Sequence, residues 1–110
     1  MQSTTVTFVS IDTTPIDKPK RRQTQWQKGQ EKKSLAILDS ILPGAYRSDW
    51  KIVFGHHPCF SGGAHSVNKK LVEKMLPIMK KGGVDMYLSG HDHNMQHWKD
   101  THSKSGLGKI

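Results

Sequence analysis

The chain has 110 residues, of which only 34% are hydrophobic, and it carries 17 lysines and arginines against 9 acidic residues. This hydrophobic fraction lies well below the ~45–50% of an average globular chain, so it is thin for an independent core. Apolar runs of signal-peptide or membrane-spanning length are absent, and the single cysteine, Cys59, excludes an internal disulfide and is interpreted as a packing residue.

A first strand is predicted over Thr4–Ile11, where β-branched residues alternate in TTVTFVSI. A basic loop follows over residues 12–24, with its densest charges in DKPKRRQ, Asp17–Gln23. The net charge of +8 would suit phosphorylated substrates, nucleic acid or anionic membranes. Aromatic residues do not interleave with these charges, so we interpret the loop as solvated rather than as a surface for nucleic acid.

A helix is predicted between Gln25 and Leu42, although Gly29 weakens the case for its first half. Pro43 and Gly44 are expected to end this helix, because proline cannot continue the hydrogen-bonding pattern and glycine favours a stop. The predicted apolar face of the helix comprises Leu35, Leu38, Ile41 and Leu42.

The second half of the chain alternates in the same way. Apolar strands are predicted over Trp50–Phe54 and over Val84–Ser89. Between them a helix is predicted from Val67 to about Lys80, and Pro77 is expected to kink it or loosen its last turn. The buried stripe of that helix is predicted to comprise Val67, Leu71, Met75, Ile78 and Met79.

The order of elements is therefore β-loop-α-β-α-β, with Met95–Lys99 as a candidate closing strand and a polar, glycine-rich tail from Asp100. This alternation predicts an α/β fold in which a layered β-sheet is flanked by helices. Helical crossovers imply parallel neighbouring strands and right-handed connections. In open sheets of this kind, ligands bind beyond the carboxyl ends of the strands.

Two loops rich in histidine follow the second and third strands. The first is GHHPCFSGGAH, Gly55–His65, and the second is SGHDHN, Ser89–Asn94. Because parallel strands bring their carboxyl ends to one edge, we expect both loops to form one site. His91 and His93 lie two positions apart in a tight loop, which suits imidazoles that point at different, adjacent ions. Imidazole is a good ligand for zinc, iron and related metals.

Neighbouring residues support the same hypothesis. His56 is expected to face the site after Gly55 opens the turn, and Gly90 is expected to let the second loop turn and approach closely. Asp92 would either orient a ligand from behind or remain a solvated carboxylate. Asp12 is a candidate carboxylate ligand by residue type alone, and so is Asp85.

Two further histidines have open assignments. His57 adjoins an expected ligand, and a solvent-facing or packing role is as compatible with its position as substrate contact. His65 follows the flexible SGG segment, which suits either a mobile arm that reaches a substrate or a surface position.

The motif VFGHHP, a further histidine and GHDHN together resemble the calcineurin-like metallophosphoesterases, most closely the tartrate-resistant or purple acid phosphatases. Those enzymes have a V-x-G-H-x-P loop, a histidine nine positions on, and a G-H-x-H-N loop after the next strand. The resemblance covers roughly residues 4–100, including FVSIDT and the segment LVEKMLPIMKKGGVDMYLSGHDHNMQHW.

This resemblance implies half of a metallophosphoesterase β-sandwich with α/β/β/α layers, and a dinuclear site that hydrolyses phosphate monoesters. It implies two divalent or trivalent metal ions, with iron paired with iron, zinc or manganese. By position, His56 and His91 would bind one metal and His93 the other.

The same resemblance implies roles for the remaining loop residues. His65 would contact the substrate phosphate or protonate the leaving group, and His57 would contact substrate. Asp92 and Asn94 would support the ligands from behind. The family also suggests a secreted or lysosomal compartment.

The family's earlier motifs, an aspartate-bearing strand, G-D-x-x-Y and G-N-H, do not occur in this sequence, and its S-G-A-G-like turn is missing or altered in THSKSGLGKI. Residues 1–110 are therefore interpreted as the C-terminal part of a catalytic domain, with the N-terminal half as an expected partner. We expect this chain alone to bind metal weakly and to catalyse poorly.

Two alternatives stay open. One is an inactive metal-binding or basic interaction module, and the other is a phosphodiesterase or nuclease on the same scaffold. Membrane and nucleic acid are not favoured as partners of the phosphatase that the resemblance implies.

Overall fold

The computed structural model describes residues 3–45 and 47–99. In chain order its elements are β1 (Val6–Ser10), α1 (Thr14–Asp17), a 3-10 helix (Lys20–Arg22), α2 (Gln25–Gly44), β2 (Trp50–Gly55), α3 (Lys69–Lys74), α4 (Leu76–Lys81) and β3 (Met86–Ser89). The polar tail predicted from Asp100 and the altered turn motif within it lie outside the described residues. Among the residues described, no helix is both long and apolar enough to cross a membrane.

The three strands form one parallel sheet in the order β1-β2-β3. Phe8 pairs with Ile52, and Ile52 pairs with Met86 on its other side. This arrangement confirms the predicted α/β layering with parallel neighbours. Because Gly55 pairs with Ser89, the loops that follow β2 and β3 begin side by side at one edge of the sheet.

The helices cover one face of this sheet. Right-handed crossovers between strands in sequential order place their helices on the same side, and α2 contacts α1 and α4 while α3 contacts the same two helices. The side chains buried between sheet and helices include Val9, Leu38, Leu42, Val53, Leu71, Met75, Met79 and Tyr87. Cys59 is 2% exposed in this core, and burial raises the pKa of its thiol to about 12, as befits a packing residue.

The opposite face of the sheet is apolar, and large apolar side chains on it are exposed. Side chains alternate between the two faces of a strand, so every second residue points away from the helices. The large apolar side chains on this face that are between 41% and 64% exposed are Val6, Phe8, Trp50, Phe54, Met86 and Leu88. We call them the apolar sheet face. Contiguous apolar patches of this kind are uncommon on monomeric soluble proteins.

Helix α2 begins as predicted but runs two residues past the predicted end. Thr24 and Gln27 form a capping box that satisfies exposed N–H groups of its first turn. Pro43 and Gly44 end the helix as predicted, but both lie within its last turn, so the last helical residue is Gly44 and not Leu42. Leu38 and Leu42 are buried as expected, whereas Ile41 is 41% exposed.

The helix predicted from Val67 is instead two short helices that meet at Met75. The prediction for Val67 was wrong: it precedes the helix and is 49% exposed, because Asn68 forms the N-cap by accepting a hydrogen bond from the Leu71 N–H. The predicted kink near Pro77 is confirmed by the break between α3 and α4 at Met75. Proline lacks the N–H that would continue the helix through this turn.

The predicted basic loop contains local structure that its charge pattern concealed. Asp12 accepts a hydrogen bond at 3.0 Å from the N–H of Thr14, the first residue of α1, and Ile16 in that helix is fully buried against the core. The 3-10 helix Lys20–Arg22 follows. The candidate closing strand Met95–Lys99 was wrong, since those residues form no strand.

Candidate metal centre

The two histidine loops meet through His56 and His91. His56 directly follows β2, and His91 lies two residues beyond β3. The N–H of Gly90 donates to the carbonyl of His56 at 3.0 Å, which ties the loops together. Nε2 of His56 then lies 3.0 Å from Nδ1 of His91. The parallel pairing of their strands therefore places two imidazole nitrogens at one point.

A left-handed backbone at His91 directs the second loop. Its φ is 71°, a conformation that non-glycine residues rarely adopt. Gly90 was predicted to supply this turn, but positive φ falls on the histidine and not on the glycine. Backbone strain at a non-glycine residue is typical of functional sites, where the surrounding contacts hold it in place.

Gly55 is required for space and not for a turn. A Cβ at this position would lie 2.8 Å from Cγ2 of Thr13 and 2.8 Å from the hydroxyl of Tyr87. Such distances are too short for any side chain. The last residue of β2 must therefore be glycine for β1, β2 and β3 to approach one another just before the histidines.

His57 is buried behind the pair, at 7% exposure. Its backbone N–H donates to the hydroxyl of Thr13 at 3.1 Å, and that hydroxyl also lies 2.7 Å from Nδ1 of the ring. The other ring nitrogen, Nε2, faces Asp17 at 3.6 Å. Burial lowers the pKa of His57 and favours its neutral form.

Both ring nitrogens of His57 face protein groups, Nδ1 the Thr13 hydroxyl and Nε2 the Asp17 carboxylate. The side chain packs behind His56 and supports it, with the two ring centroids 4.8 Å apart. Contact between His57 and a substrate stays a prediction, and its burial does not favour it.

The donor chemistry of His56 and His91 fits a metal ion. Neighbouring nitrogens on a tetrahedral zinc ion lie about 3.3 Å apart for Zn–N bonds of ~2.0–2.1 Å, close to the 3.0 Å between these two atoms. His56 is exposed and His91 half-buried, so an ion can reach them from solvent. Together with His57 they form a group whose potential ligand atoms lie within 4.8 Å.

Other predicted ligands lie apart from this group. His93 is exposed and does not belong to the metal-binding group found among the described residues, so its role at a second ion stays a prediction. Asp85 lies at the amino end of β3, where it accepts a hydrogen bond from the Lys51 N–H, far from the histidine edge. Asp12 is also outside that group, and its side chain accepts a hydrogen bond from the Thr14 N–H.

His65 reaches the centre from the end of the first loop. Its ring lies over that of His91, with centroids 4.0 Å apart, and its Nδ1 contacts Oδ1 of Asp92. The other carboxylate oxygen of Asp92 accepts a hydrogen bond from the hydroxyl of Ser61. The Ser61 hydroxyl and the His65 imidazole hold the pKa of Asp92 below its ordinary value, so its side chain is ionised.

Sequence patterns did not reveal two residues of the centre, Thr13 and Ser61. Thr13 is 1% exposed and Ser61 is 6% exposed, and each binds a site residue through its hydroxyl. Small hydroxyl residues in loops are common in any chain, so their residue type gave no signal. The position of Thr13 just past the end of β1 was the one available indication.

Comparisons with known proteins match this fold. The family model described as calcineurin-like phosphoesterase matches residues 3–95. Purple acid phosphatase 17 of Arabidopsis thaliana is 51% identical over 52% of this chain and 17% of its own length. Human tartrate-resistant acid phosphatase type 5 is 37% identical over 69% of this chain and 22% of its own length.

A solved structure described as GAP50, the anchor in the inner membrane complex of Plasmodium, is similar with a TM-score of 0.75 and 32% identity. That alignment covers 87% of this chain and 29% of the solved chain. The chain thus spans less than a third of the length of each of these three proteins.

Proposed function

This chain belongs to the calcineurin-like phosphoesterase family, and we propose that it contributes metal ligands and a proton donor to the hydrolysis of a phosphate monoester. The observation that carries the proposal is the approach of His56 and His91 at the shared edge of two parallel strands. Acid phosphatases among the relatives support a monoester over a diester as substrate.

His56 and His91 are proposed to bind one ion through Nε2 and Nδ1, and His93 to bind a second. Iron paired with iron, zinc or manganese is the proposed pair. Bound ions would supply Lewis acidity and offset the charge of the phosphate. The protein's part is to hold both nitrogens at one point, through the Gly90–His56 hydrogen bond and the strained backbone of His91.

His65 is proposed to act on the leaving group. Its side chain is 53% exposed and its ring lies beside that of His91. A substrate bound to the two metal ions would therefore lie within its reach. When protonated, the ring can bind a phosphate oxygen or pass its proton to the leaving oxygen as the P–O bond breaks, which leaves a neutral imidazole. The net charge of +8 would draw an anionic ester toward the chain.

Three histidines fill only part of the coordination of two ions, which usually includes carboxylates. Neither Asp12 nor Asp85 belongs to the group of potential ligand atoms found among the described residues. We therefore propose that the 110-residue chain binds metal weakly and turns over slowly by itself.

Metal content tests the ligand roles. The purified chain loaded with zinc or iron should retain more metal when its histidine ligands are intact than when one is replaced. Elemental analysis and titration calorimetry measure the retained metal and its affinity. His56→Ala and His91→Ala should each lower the affinity by tenfold or more, on the order seen when a supporting group of a metal site is removed. His97→Ala is the matched control, since it removes a histidine outside the group. Equal binding by all four proteins would overturn the ligand assignment.

Turnover of aryl phosphates tests the role of His65. His65→Ala should slow esters with poor leaving groups most and should leave metal content unchanged. An equal loss for all leaving groups would limit His65 to phosphate binding, and no loss would return it to the surface. A preference for an aryl diester over the monoester would favour the phosphodiesterase alternative.

A second candidate function is a metal-binding or basic interaction module without catalysis. The similarity to a solved protein described as an anchor favours it, because that protein shares the fold at 32% identity. Stoichiometric metal binding without turnover of any phosphate ester would support this alternative over the hydrolase.

A further inference from the structure

Asp92 joins the two loops of the centre through both of its carboxylate oxygens. Oδ1 contacts Nδ1 of His65, and Oδ2 accepts a hydrogen bond from Ser61. The carboxylate side chain is 6% exposed, whereas the His65 side chain is 53% exposed. An enclosed, doubly bound carboxylate thus holds one edge of an open imidazole ring.

Hydrogen bonding fixes the direction of each of these contacts. The Ser61 oxygen accepts the N–H of Gly63 and the amide of Gln96, each at 3.0 Å. Both lone pairs of the hydroxyl are then used, so its proton goes to Asp92. An ionised carboxylate can only accept, and so the hydrogen between Asp92 and His65 lies on Nδ1.

We propose that Asp92 is a positioning residue that holds His65 as the Nδ1–H tautomer and leaves Nε2 as the atom that faces the phosphate ester. In a histidine, the hydrogen bond made by one ring nitrogen sets the state of the other. Imidazole free in water favours the opposite tautomer, with its hydrogen on Nε2. The identity of the group that meets Nε2 rests on the proposed function, whereas the tautomer does not.

The segment that carries His65, residues 61–65, is docked and not free. A Cβ at Gly63 would lie 2.8 Å from Nδ2 of Asn94 and 3.0 Å from Oδ2 of Asp92, so a larger residue there would displace these two side chains. The N–H of Gly62 donates to Oε1 of Gln96 at 2.6 Å. These contacts hold the segment in the place where Asp92 can reach the ring.

This arrangement gives His65 a defined geometry for proton transfer. With Nδ1–H bound to Asp92, rotation of the ring about its side-chain bonds would break a charge-assisted hydrogen bond. With Nδ1 bound to Asp92, Nε2 is the ring nitrogen left for another partner, and the ring lies with its centroid 4.0 Å from that of His91. A proton carried on Nε2 is then the one that can pass to a leaving oxygen.

The tautomer is measured directly by long-range ¹H–¹⁵N correlation spectra of the metal-free 110-residue chain at mildly alkaline pH, where imidazole is neutral. His65→Ala assigns the signal. We expect the wild-type ring in the Nδ1–H form and Asp92→Asn to shift its population toward Nε2–H. Asp12→Asn, which removes another carboxylate near the carboxyl end of β1, should leave the His65 signal unchanged.

The wild-type spectrum alone can overturn the inference, so the test survives an Asp92 variant that fails to fold. A wild-type ring in the Nε2–H form would end it, and so would an unchanged tautomer in folded Asp92→Asn. If the tautomer result holds while metal and turnover are absent, the positioning role stands and the proposed function fails. Where turnover is measurable, Asp92→Asn should lower kcat on the order of tenfold with little change in KM.

Discussion

Nε2 of His56 and Nδ1 of His91 lie 3.0 Å apart although 35 residues separate them in the chain. Without a metal ion, one nitrogen must donate a hydrogen to the other at this distance. Metal binding requires a lone pair on both, so that hydrogen must leave or move to the far side of its ring. The left-handed backbone that brings His91 to this position carries a steric penalty, so it lowers the free energy of unfolding.

Replacement of His91 separates that cost from its proposed function. His91→Gly and His91→Ala both remove the imidazole, but only glycine adopts a φ of 71° without a steric penalty. We expect the glycine variant to be more stable than the alanine variant by about 1 kcal/mol. Urea unfolding of the two proteins measures the difference, and a more stable alanine variant would contradict a left-handed His91.

Glu31 should make stability fall in acid. Burial would raise the pKa of Glu31, but hydrogen bonds from Lys74 and Gln23 outweigh it and hold the pKa below its ordinary value of 4.5. A carboxyl whose pKa is lower in the folded than in the unfolded protein stabilises the fold at pH values above its unfolded pKa. That stabilisation is lost as the pH falls through its folded pKa. Glu31→Gln should cost about 1–2 kcal/mol at neutral pH, and the gap should close below pH 4.5.

Asp39 supplies the matched control for that measurement. It lies on the same helix and pairs with Lys81 at 3.7 Å, with both side chains at least half exposed. Asp39→Asn should change stability little at any pH, because exposed ion pairs contribute little. A pH profile of Glu31→Gln that runs parallel to wild type would refute the linkage.

The apolar sheet face should make the 110-residue chain self-associate. Phe8 is 64% exposed and Leu88 is 48% exposed on this face, and burial of such side chains between two copies is favourable. Sedimentation velocity should show species larger than a monomer, and the double variant Phe8→Thr, Leu88→Thr should reduce them. Val67→Thr, an exposed apolar residue outside the face, should have no effect. A monomer that melts cooperatively at high temperature would contradict this expectation.

Local patterns placed the three strands and the longer helices but missed α1 and the 3-10 helix. Alternating β-branched residues marked β1. The split at Met75 followed from Pro77, which acts within its own helical turn. Errors of one or two residues arose at element ends, where capping decides the boundary. Val67 was misplaced for that reason, since the N-cap bond of Asn68 was not inferred from the apolar spacing.

The histidine site was only half accessible to the same reasoning. The positions of His56 and His91 just past two predicted strands were enough to predict that they lie close together, because parallel strands end at the same edge of a sheet. The bond between Thr13 and His57 joins residues 44 apart, and the bond between Ser61 and Asp92 joins residues 31 apart. Contacts of this kind depend on the final packing of loops, which no periodicity in the sequence encodes.

Alanine substitutions at Gly55, just before the site, and at Gly29, in α2, should change the stability of the protein in opposite directions. Gly55→Ala should destabilise the protein by about 1–3 kcal/mol, since its Cβ would lie 2.8 Å from Thr13 and from Tyr87. Gly29→Ala adds the same methyl group inside α2, where nothing lies within 4 Å. This variant should stabilise the protein by about 0.5–1 kcal/mol. Chemical denaturation of both variants measures these changes. The contrast matters for the metal centre because Gly55 directly precedes His56: if Gly55→Ala were as harmless as Gly29→Ala, the strands would not approach closely enough to hold the two histidine nitrogens at one point.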